Sequence, residues 1–434
     1  MKVFLDSVGC RLNQSEIERI GRDFRLAGCE LVSDPAQADL AVINTCAVTR
    51  RADADSRQKT RQAARAGVDQ IILTGCWATL EEHDALALPK VTRVVKNDDK
   101  NHLVADFLGQ PFELFNREPL PREPLPGSRM RTRAFIKAQD GCNNCCAFCV
   151  TTLARGSALS LPAESVLNEV RAALRGGSQE IVLCGVHLGY WGKDLNRGIS
   201  LRDLIQLILE ETDVPRLRLS SLEPWNLDVD FFSLWQDARL CRHLHLPLQS
   251  GSNATLRRMA RKTSQDDFSR LVAAARAAIP DVAISTDIIV GFPGETEEEF
   301  EESLAFIKAM NFAGGHVFTY SERDGTRAAS FDHTVPISIR RDRGTVMRAA
   351  FTRSAEHYRH AFVGKILRVL WESTTDTGEA GWQLSGLTDN YLRVMARSDE
   401  DRWNQISDVE IIHPEKGALQ GRIITNKDKG PLFH

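Results

Sequence analysis

The chain has no apolar run near the roughly 20 residues that span a bilayer, and no internal repeat or low-complexity tract stands out. Aromatic residues are few, at 7%, and neither sign of charge dominates: 55 Lys and Arg against 58 Asp and Glu leave −3. These absences exclude a bundle of membrane-spanning helices, a solenoid, and a protein that holds polyanions by bulk charge alone. With 42% hydrophobic residues, disorder is excluded as well. The N-terminus meets Asp6 after only three apolar residues. Neither a signal nor a transit peptide is expected there, and the chain is expected to be soluble and cytoplasmic. A length of 434 residues predicts two to four domains.

Clustered cysteine is what the chain does have. Ten Cys are too sparse for a disulfide scaffold, and clustered thiols in a cytosolic protein point to metal or to chemistry. The first set is Cys10, Cys46 and Cys76, each placed after a strand-like run at 3–8, 40–44 and 71–74. Helical patterns at 14–26 and 50–65 make this a parallel α/β sheet, in which all three thiols arrive at the carboxyl edge of the strands. The second set lies in Gly141-Cys142-Asn143-Asn144-Cys145-Cys146-Ala147-Phe148-Cys149. So tight a run suits an iron–sulfur cluster with three protein ligands, and no second pair nearby completes a zinc site. The residues alone leave two parsings, Cys142-Cys146-Cys149 and Cys142-Cys145-Cys149. Outside the sets 10, 46, 76 and 142, 146, 149, the other cysteines, Cys29, Cys145, Cys184 and Cys241, read first as small buried hydrophobes.

Five of the 16 prolines fall between Pro111 and Pro126, marking an extended linker at 113–127 after an N-terminal α/β domain at 1–112. From 128 to 362 strand-like runs (134–138, 180–185, 216–221, 243–248, 282–292, 316–321) alternate with amphipathic helices. Thr296 and Glu299 form a capping box at the start of one of them. Six βα units predict either an open doubly wound sheet or an incomplete (β/α) barrel. Five short strands between 363 and 428 predict a small β-barrel, a module that often binds oligonucleotides. Two basic stretches, 50–67 and 239–270, suit a polyanion or an ordinary solvated helix face, whereas the last 71 residues carry nine basic and eleven acidic groups. His243 and His245 share a strand face and are expected as barrel-interior histidines rather than ligands. Glu223 and Gln249 at strand ends read as ligand-bonding groups or as plain caps.

Cys142, Cys146 and Cys149 resemble the C-x-x-x-C-x-x-C signature of radical S-adenosylmethionine (SAM) enzymes, which selects the first parsing. The whole chain resembles a methylthiotransferase: a three-cysteine N-terminal domain, a radical SAM core as a partial barrel, and a C-terminal TRAM β-barrel. Residues 8–16, 44–49, Ala52-Asp53, 56–58, and 185–189 with Gly192 resemble the MtaB branch, rather than the MiaB branch or the RimO branch that acts on a ribosomal protein aspartate. Two departures are Cys145 beside the second ligand, and Thr152-Leu153 where Pro-Tyr is common. The resemblance implies two [4Fe-4S] clusters, an auxiliary one on Cys10, Cys46 and Cys76 and the radical SAM one on Cys142, Cys146 and Cys149. It implies SAM as radical source and methyl donor, methylthiolating position 2 of N6-threonylcarbamoyladenosine in the tRNA anticodon arm. Gly185, Ser221, Glu223 and Gln249 are the SAM-binding candidates. A reductant such as flavodoxin or ferredoxin and a sulfur donor are the implied partners, with no membrane. The rival from another class is an iron–sulfur electron carrier without catalysis, which would not need a βα core with Gly-rich strand ends.

Overall fold

A computed structural model describes residues 1–115, 121–126, 132–195 and 198–425. It divides into two compact units. One contains Met1–Gly177, Val182–Leu204 and Ser321–Ala329; the other contains Ser178–Ile181, Ile205–Tyr320 and Ser330–His434.

The first unit begins with β1 (Lys2–Ser7), α1 (Arg11–Leu26), β2 (Glu30–Val32), β3 (Leu40–Thr45), α2 (Arg50–Arg65), β4 (Gln70–Gly75), α3 (Cys76–Leu80), α4 (Glu82–Leu86), β5 (Val91–Val95) and α5 (Leu103–Leu108). The five strands form one parallel sheet in the order β2-β1-β3-β4-β5. Central β3 is buried at all six positions, as expected of a parallel strand covered on both faces. Helix α1 buries Ile17, Ile20 and Phe24, a stripe at helical spacing that packs beside Val3, Leu40 and Val42. Thr49 starts α2 by accepting the Ala52 N–H at 3.1 Å. The edge strands β2 and β5 were not anticipated from the sequence.

Of the expected linker, residues 116–120 and 127 lie outside the described residues. Between them, Arg122 is 6% exposed and docked, donating to Glu18 at 2.6 and 2.9 Å and, through its N–H, to the Ala172 carbonyl at 3.1 Å. The unit continues with β6 (Arg133–Lys137), β7 (Gln139–Asp140), α6 (Thr151–Arg155), β8 (Leu159–Ser160) and α7 (Ala163–Arg175), with β7 and β8 an unforeseen antiparallel pair. The division between the units falls within β9 (Glu180–Cys184) and α8 (Leu201–Glu211).

The second unit contains β10 (Leu217–Leu219), β11 (His243–His245), α9 (Asn253–Arg258), α10 (Gln265–Ala278), β12 (Ala283–Val290), α11 (Glu297–Met310), β13 (Gly314–Thr319) and α12 (Ile337–His360). Bridges Leu217↔Leu240 and Ser221↔His245 lead from β10 to β11, which pairs in parallel with β12 and then β13. Neighbours follow chain order without reversal. That is the progression of an incomplete barrel, since a doubly wound sheet reverses at a switch point. The expected box opens α11, with the Glu299 N–H on Thr296 Oγ1 at 3.3 Å and the Thr296 N–H on Glu299 Oε2 at 3.2 Å. Strands β14 (Ile366–Asp376), β15 (Trp382–Thr388), β16 (Arg393–Ser398), β17 (Ile406–Glu415) and β18 (Ala418–Ile423) close into the expected small barrel, in the order β14-β15-β16-β18-β17. Fully buried Arg218 ties that barrel to the core strands. It donates to Glu180 at 2.7 and 3.0 Å and to the carbonyls of Asp389 and Thr388 at 2.9 and 3.2 Å.

Candidate metal centre

Each thiol of the first set stands at the carboxyl end of a strand of the five-stranded sheet: Cys10 just before α1, Cys46 after β3, and Cys76 opening α3. The turns carrying Cys10 and Cys46 touch. Gly9 has φ +102°, and a Cβ there would lie 2.5 Å from Cys46 Cβ and Sγ, so only glycine fits. Buried Asn13 laces the same turns together, donating to the Val8 and Thr45 carbonyls at 2.8 and 2.9 Å while its Oδ1 lies 3.7 Å from Cys10 Sγ. Cys76 Sγ accepts from Arg155 Nε at 3.2 Å and from Asn97 Nδ2 at 3.8 Å. Burial pushes the Cys46 thiol up to about 11, and the charges of Cys10 and Cys76 act in the same direction. Three converged thiols, two of which (Cys10 and Cys46) burial and the neighbouring thiolate charges push up, fit a group that binds thiolate, as iron in a sulfide cluster does.

The second set occupies the loop between β7 and α6. Gly141 has φ +61°, and a Cβ there would fall 1.9 Å from the Ser157 carbonyl oxygen. The Cys142 N–H bonds to the Gly156 carbonyl at 3.1 Å. Backbone N–H groups point at sulfur, Asn144 to Cys142 Sγ and Thr151 to Cys149 Sγ, both at 3.4 Å. His187 Nδ1 lies 3.9 Å from Cys142 Sγ. Cys145 is exposed, whereas Cys142, Cys146 and Cys149 are half-buried. Such N–H donors offset thiolate charge, so this loop too fits a cluster. Thr152 keeps α6 helical, accepting the Gly156 N–H at 3.0 Å, and Leu153 points outward at 51% exposure.

Arg155 joins the two sets, and sequence reasoning missed it. From the end of α6 its guanidinium reaches Cys76, Asn13 at 2.8 Å, Glu16 at 2.9 Å, and Asp140 at 2.9 and 3.1 Å. Glu16 is also held by Lys100 at 2.7 Å and Lys137 at 3.3 Å. Burial alone pushes the Glu16 carboxyl up, yet Arg155, Lys100 and Lys137 overcome it and hold the group well below the usual carboxylate range. Nothing periodic marks Glu16, Lys100 or Arg155, which are up to 139 residues apart.

The SAM candidates are placed as follows. Gly185 follows β9, where a Cβ would lie 3.0 Å from Gln139 Oε1. Ser221 bridges to His245. Gln249 has φ +80° and pairs with Ile288 across β12. Glu223 is ion-paired to Arg261 at 2.7 Å, and that guanidinium stacks on Trp225 at 4.5 Å.

Residues 136–307 match the Radical SAM superfamily, and residues 2–96 match the family described as Uncharacterized protein family UPF0004. Threonylcarbamoyladenosine tRNA methylthiotransferase MtaB of Bacillus subtilis (strain 168) is 35% identical over 97% of this chain and 96% of that protein. The chain belongs to the radical SAM methylthiotransferases. A second methylthiotransferase, the tRNA-2-methylthio-N(6)-dimethylallyladenosine synthase of Clostridium botulinum (strain Eklund 17B / Type B), is 30% identical over 97% of this chain and 95% of that protein. Among solved structures, the radical SAM methyltransferase TsrM from Kitasatospora setae, with cobalamin and a [4Fe-4S] cluster bound, gives a TM-score of 0.59 at 14% identity. It covers 76% of this chain and 77% of that one, a likeness of fold. Methylthiotransferases of this family are radical SAM enzymes whose cofactors are SAM and [4Fe-4S] clusters. No helix among the described residues is long and apolar enough to cross a membrane.

Proposed function

We propose that this methylthiotransferase modifies N6-threonylcarbamoyladenosine in the tRNA anticodon arm, adding a methylthio group at position 2 of the adenine. The observation that carries the reading is the Arg155 tie, which holds Cys76 of one thiol set and Asp140 at the root of the other within one compact unit. The 35% identity to MtaB proteins of two organisms, over 90% or more of the chain, favours the threonylcarbamoyl substrate over the dimethylallyl one.

Cys10, Cys46 and Cys76 would hold the auxiliary cluster, and Cys142, Cys146 and Cys149 the radical SAM cluster, with Gly185, Ser221, Glu223 and Gln249 contributing to SAM binding. Together these cofactors supply one-electron chemistry that breaks an unactivated C–H bond, for which no side chain has the basicity. The protein's part is to position. Asn13 and Gly9 set the closeness of the Cys10 and Cys46 turns, the Asn144 and Thr151 N–H groups stabilise thiolate, and Arg155 keeps a positive charge beside Cys76. Exposed Arg50, Arg51, Arg61 and Arg65 on α2 offer phosphate contacts. An anticodon-loop base is unstacked at low cost, which suits chemistry at its edge. The functional divisions are 1–112, the linker 113–127, the core 128–362 and the barrel 363–428, working in the cytoplasm with an external reductant and sulfur donor.

The test is anaerobic turnover of the reconstituted enzyme with SAM, reductant and anticodon stem-loops. We expect 5′-deoxyadenosine together with methylthiolated threonylcarbamoyladenosine. Neither product would mean an electron carrier, and product only from the isopentenyl stem-loop would move the substrate to the other branch.

A further inference from the structure

The Arg155 guanidinium divides its bonds in a way that singles out one thiol. Its two outer nitrogens are held by oxygen: Nη1 donates to Glu16 at 2.9 Å and to Asp140 at 2.9 and 3.1 Å, and Nη2 donates to Asn13 at 2.8 Å. The inner nitrogen, Nε, is left to sulfur and donates to Cys76 Sγ at 3.2 Å. Asn97 brings a second N–H donor to within 3.8 Å of the same sulfur and is anchored by donating to the Ala154 carbonyl at 2.6 Å. Lys100 and Lys137 complete the group, Lys100 on Glu16 at 2.7 Å and Lys137 on Glu16 and Asp140 at 3.3 and 3.1 Å. Among these five ionised side chains three are cations and two are carboxylates. The surplus positive charge has the Cys76 sulfur at its edge, and Arg155, Glu16, Lys100 and Cys76 are all buried. Every one of these residues belongs to the first compact unit.

We infer that Arg155 is a positioning residue that raises the reduction potential of the auxiliary cluster through the Cys76 sulfur. This rests on the assignment of Cys10, Cys46 and Cys76 to that cluster made above. The potential of an iron–sulfur cluster follows its net charge, the hydrogen bonds to its sulfurs and its exposure to water. Reduction adds negative charge to a group already carrying three thiolates. An N–H bond to a ligand sulfur and a surplus cation beside it both stabilise that added charge, and burial keeps water from screening either. A guanidinium stays charged across the working pH range, so the effect needs no titration. Glu16 and Asp140 act in the opposite sense. They orient the guanidinium but cancel part of its field, so removing either charge strengthens the field at the sulfur, whereas removing Arg155 weakens it. A purely structural role predicts no such opposition of sign.

The experiment isolates one cluster in the full-length chain by Cys142→Ala, Cys146→Ala and Cys149→Ala. That chain is reconstituted anaerobically with iron and sulfide, and the midpoint potential of the remaining cluster is read by electron paramagnetic resonance during a reductive titration. Arg155→Met in this background is expected to lower the reduced-to-oxidised ratio at a fixed potential by at least tenfold, a shift of about 59 mV for one electron. Arg155→Lys, which keeps the charge but not the planar fork, is expected to move it less in the same direction. Glu16→Gln and Asp140→Asn are each expected to move it the other way. A potential unchanged in Arg155→Met would overturn the inference. So would Arg155 and carboxylate variants that all shift together, as opening the site to water would cause. If Arg155→Met holds no iron, Arg155→Lys against Asp140→Asn decides by the same opposition of sign. No iron in the triple-alanine background would overturn the ligand assignment and the inference with it, whereas an unmoved potential in iron-loaded chains refutes the inference alone.

Discussion

Replacing Glu16 by Gln removes the anion at the centre of a buried cluster. Glu16, Lys100 and Arg155 side chains are 4%, 4% and 2% exposed. Two carboxylates, Glu16 and Asp140, face three cations, Arg155, Lys100 and Lys137, leaving one positive charge that the Cys76 sulfur 3.2 Å from Arg155 is placed to meet. Since Glu16 is ionised at neutral pH, Glu16→Gln leaves a surplus of two. Breaking a buried pair in this way costs about 3–5 kcal/mol. For a unit of about 200 residues, at about 2–4 °C per kcal/mol, the melting temperature should fall by roughly 6–20 °C. Iron-free protein is the material to melt, so that cluster binding does not enter. Lys100→Met on top of Glu16→Gln returns the surplus to one and should recover part of the loss, because the two side chains are 2.7 Å apart. A drop of about 2 °C or less, or a double variant as unstable as the sum of the singles, would refute the argument.

Asp23 gives a pH signature: burial raises its pKa from 3.8 to about 7 against the pull of Arg19 and Arg22, with Glu169 adding to the rise. The folded state binds this proton more tightly than the unfolded chain, so the group destabilises progressively as pH climbs from 4 to 7 and fully above 7. Asp23→Asn should therefore stabilise by roughly 1–3 kcal/mol at pH 8 and change nothing near pH 4, read by urea melts at both. Gly141→Ala drives a Cβ into the Ser157 carbonyl at positive φ. Reconstituted protein should then lose about half its iron and its 5′-deoxyadenosine formation, and full iron would contradict the assignment. Arg218→Met takes from buried Glu180 its partner at 2.7 and 3.0 Å and leaves the more distant Arg216 guanidinium and Cys241 thiol, both at 3.8 Å. Limited proteolysis should cut between core and C-terminal barrel at least about tenfold faster, given a loss of about 3–5 kcal/mol.

Much of this was legible because its signals are local. Cysteines after apolar runs marked the first thiol set and tight spacing marked the second, and α2 runs over the residues expected for it. The capping box at Thr296 was readable because four residues contain it. The missing parts join distant residues. Arg155 meets Glu16 across 139 positions and Cys76 across 79, and no periodicity announces a long side chain turning inward. Asp287 and His316 sit in runs that read simply as strand, and only the register of β12 and β13 shows them as neighbours. Glu223 illustrates the converse. The strand-end carboxylate was legible as a SAM candidate, while its partner Arg261, 38 residues on, was not.

The most direct test of the substrate is nucleoside mass spectrometry of tRNA from a host lacking this gene, with and without the gene restored. The account predicts that 2-methylthio-N6-threonylcarbamoyladenosine disappears and returns with the gene, while N6-threonylcarbamoyladenosine accumulates in its absence. Unchanged threonylcarbamoyladenosine pools, or a change confined to the isopentenyl nucleoside, would contradict it.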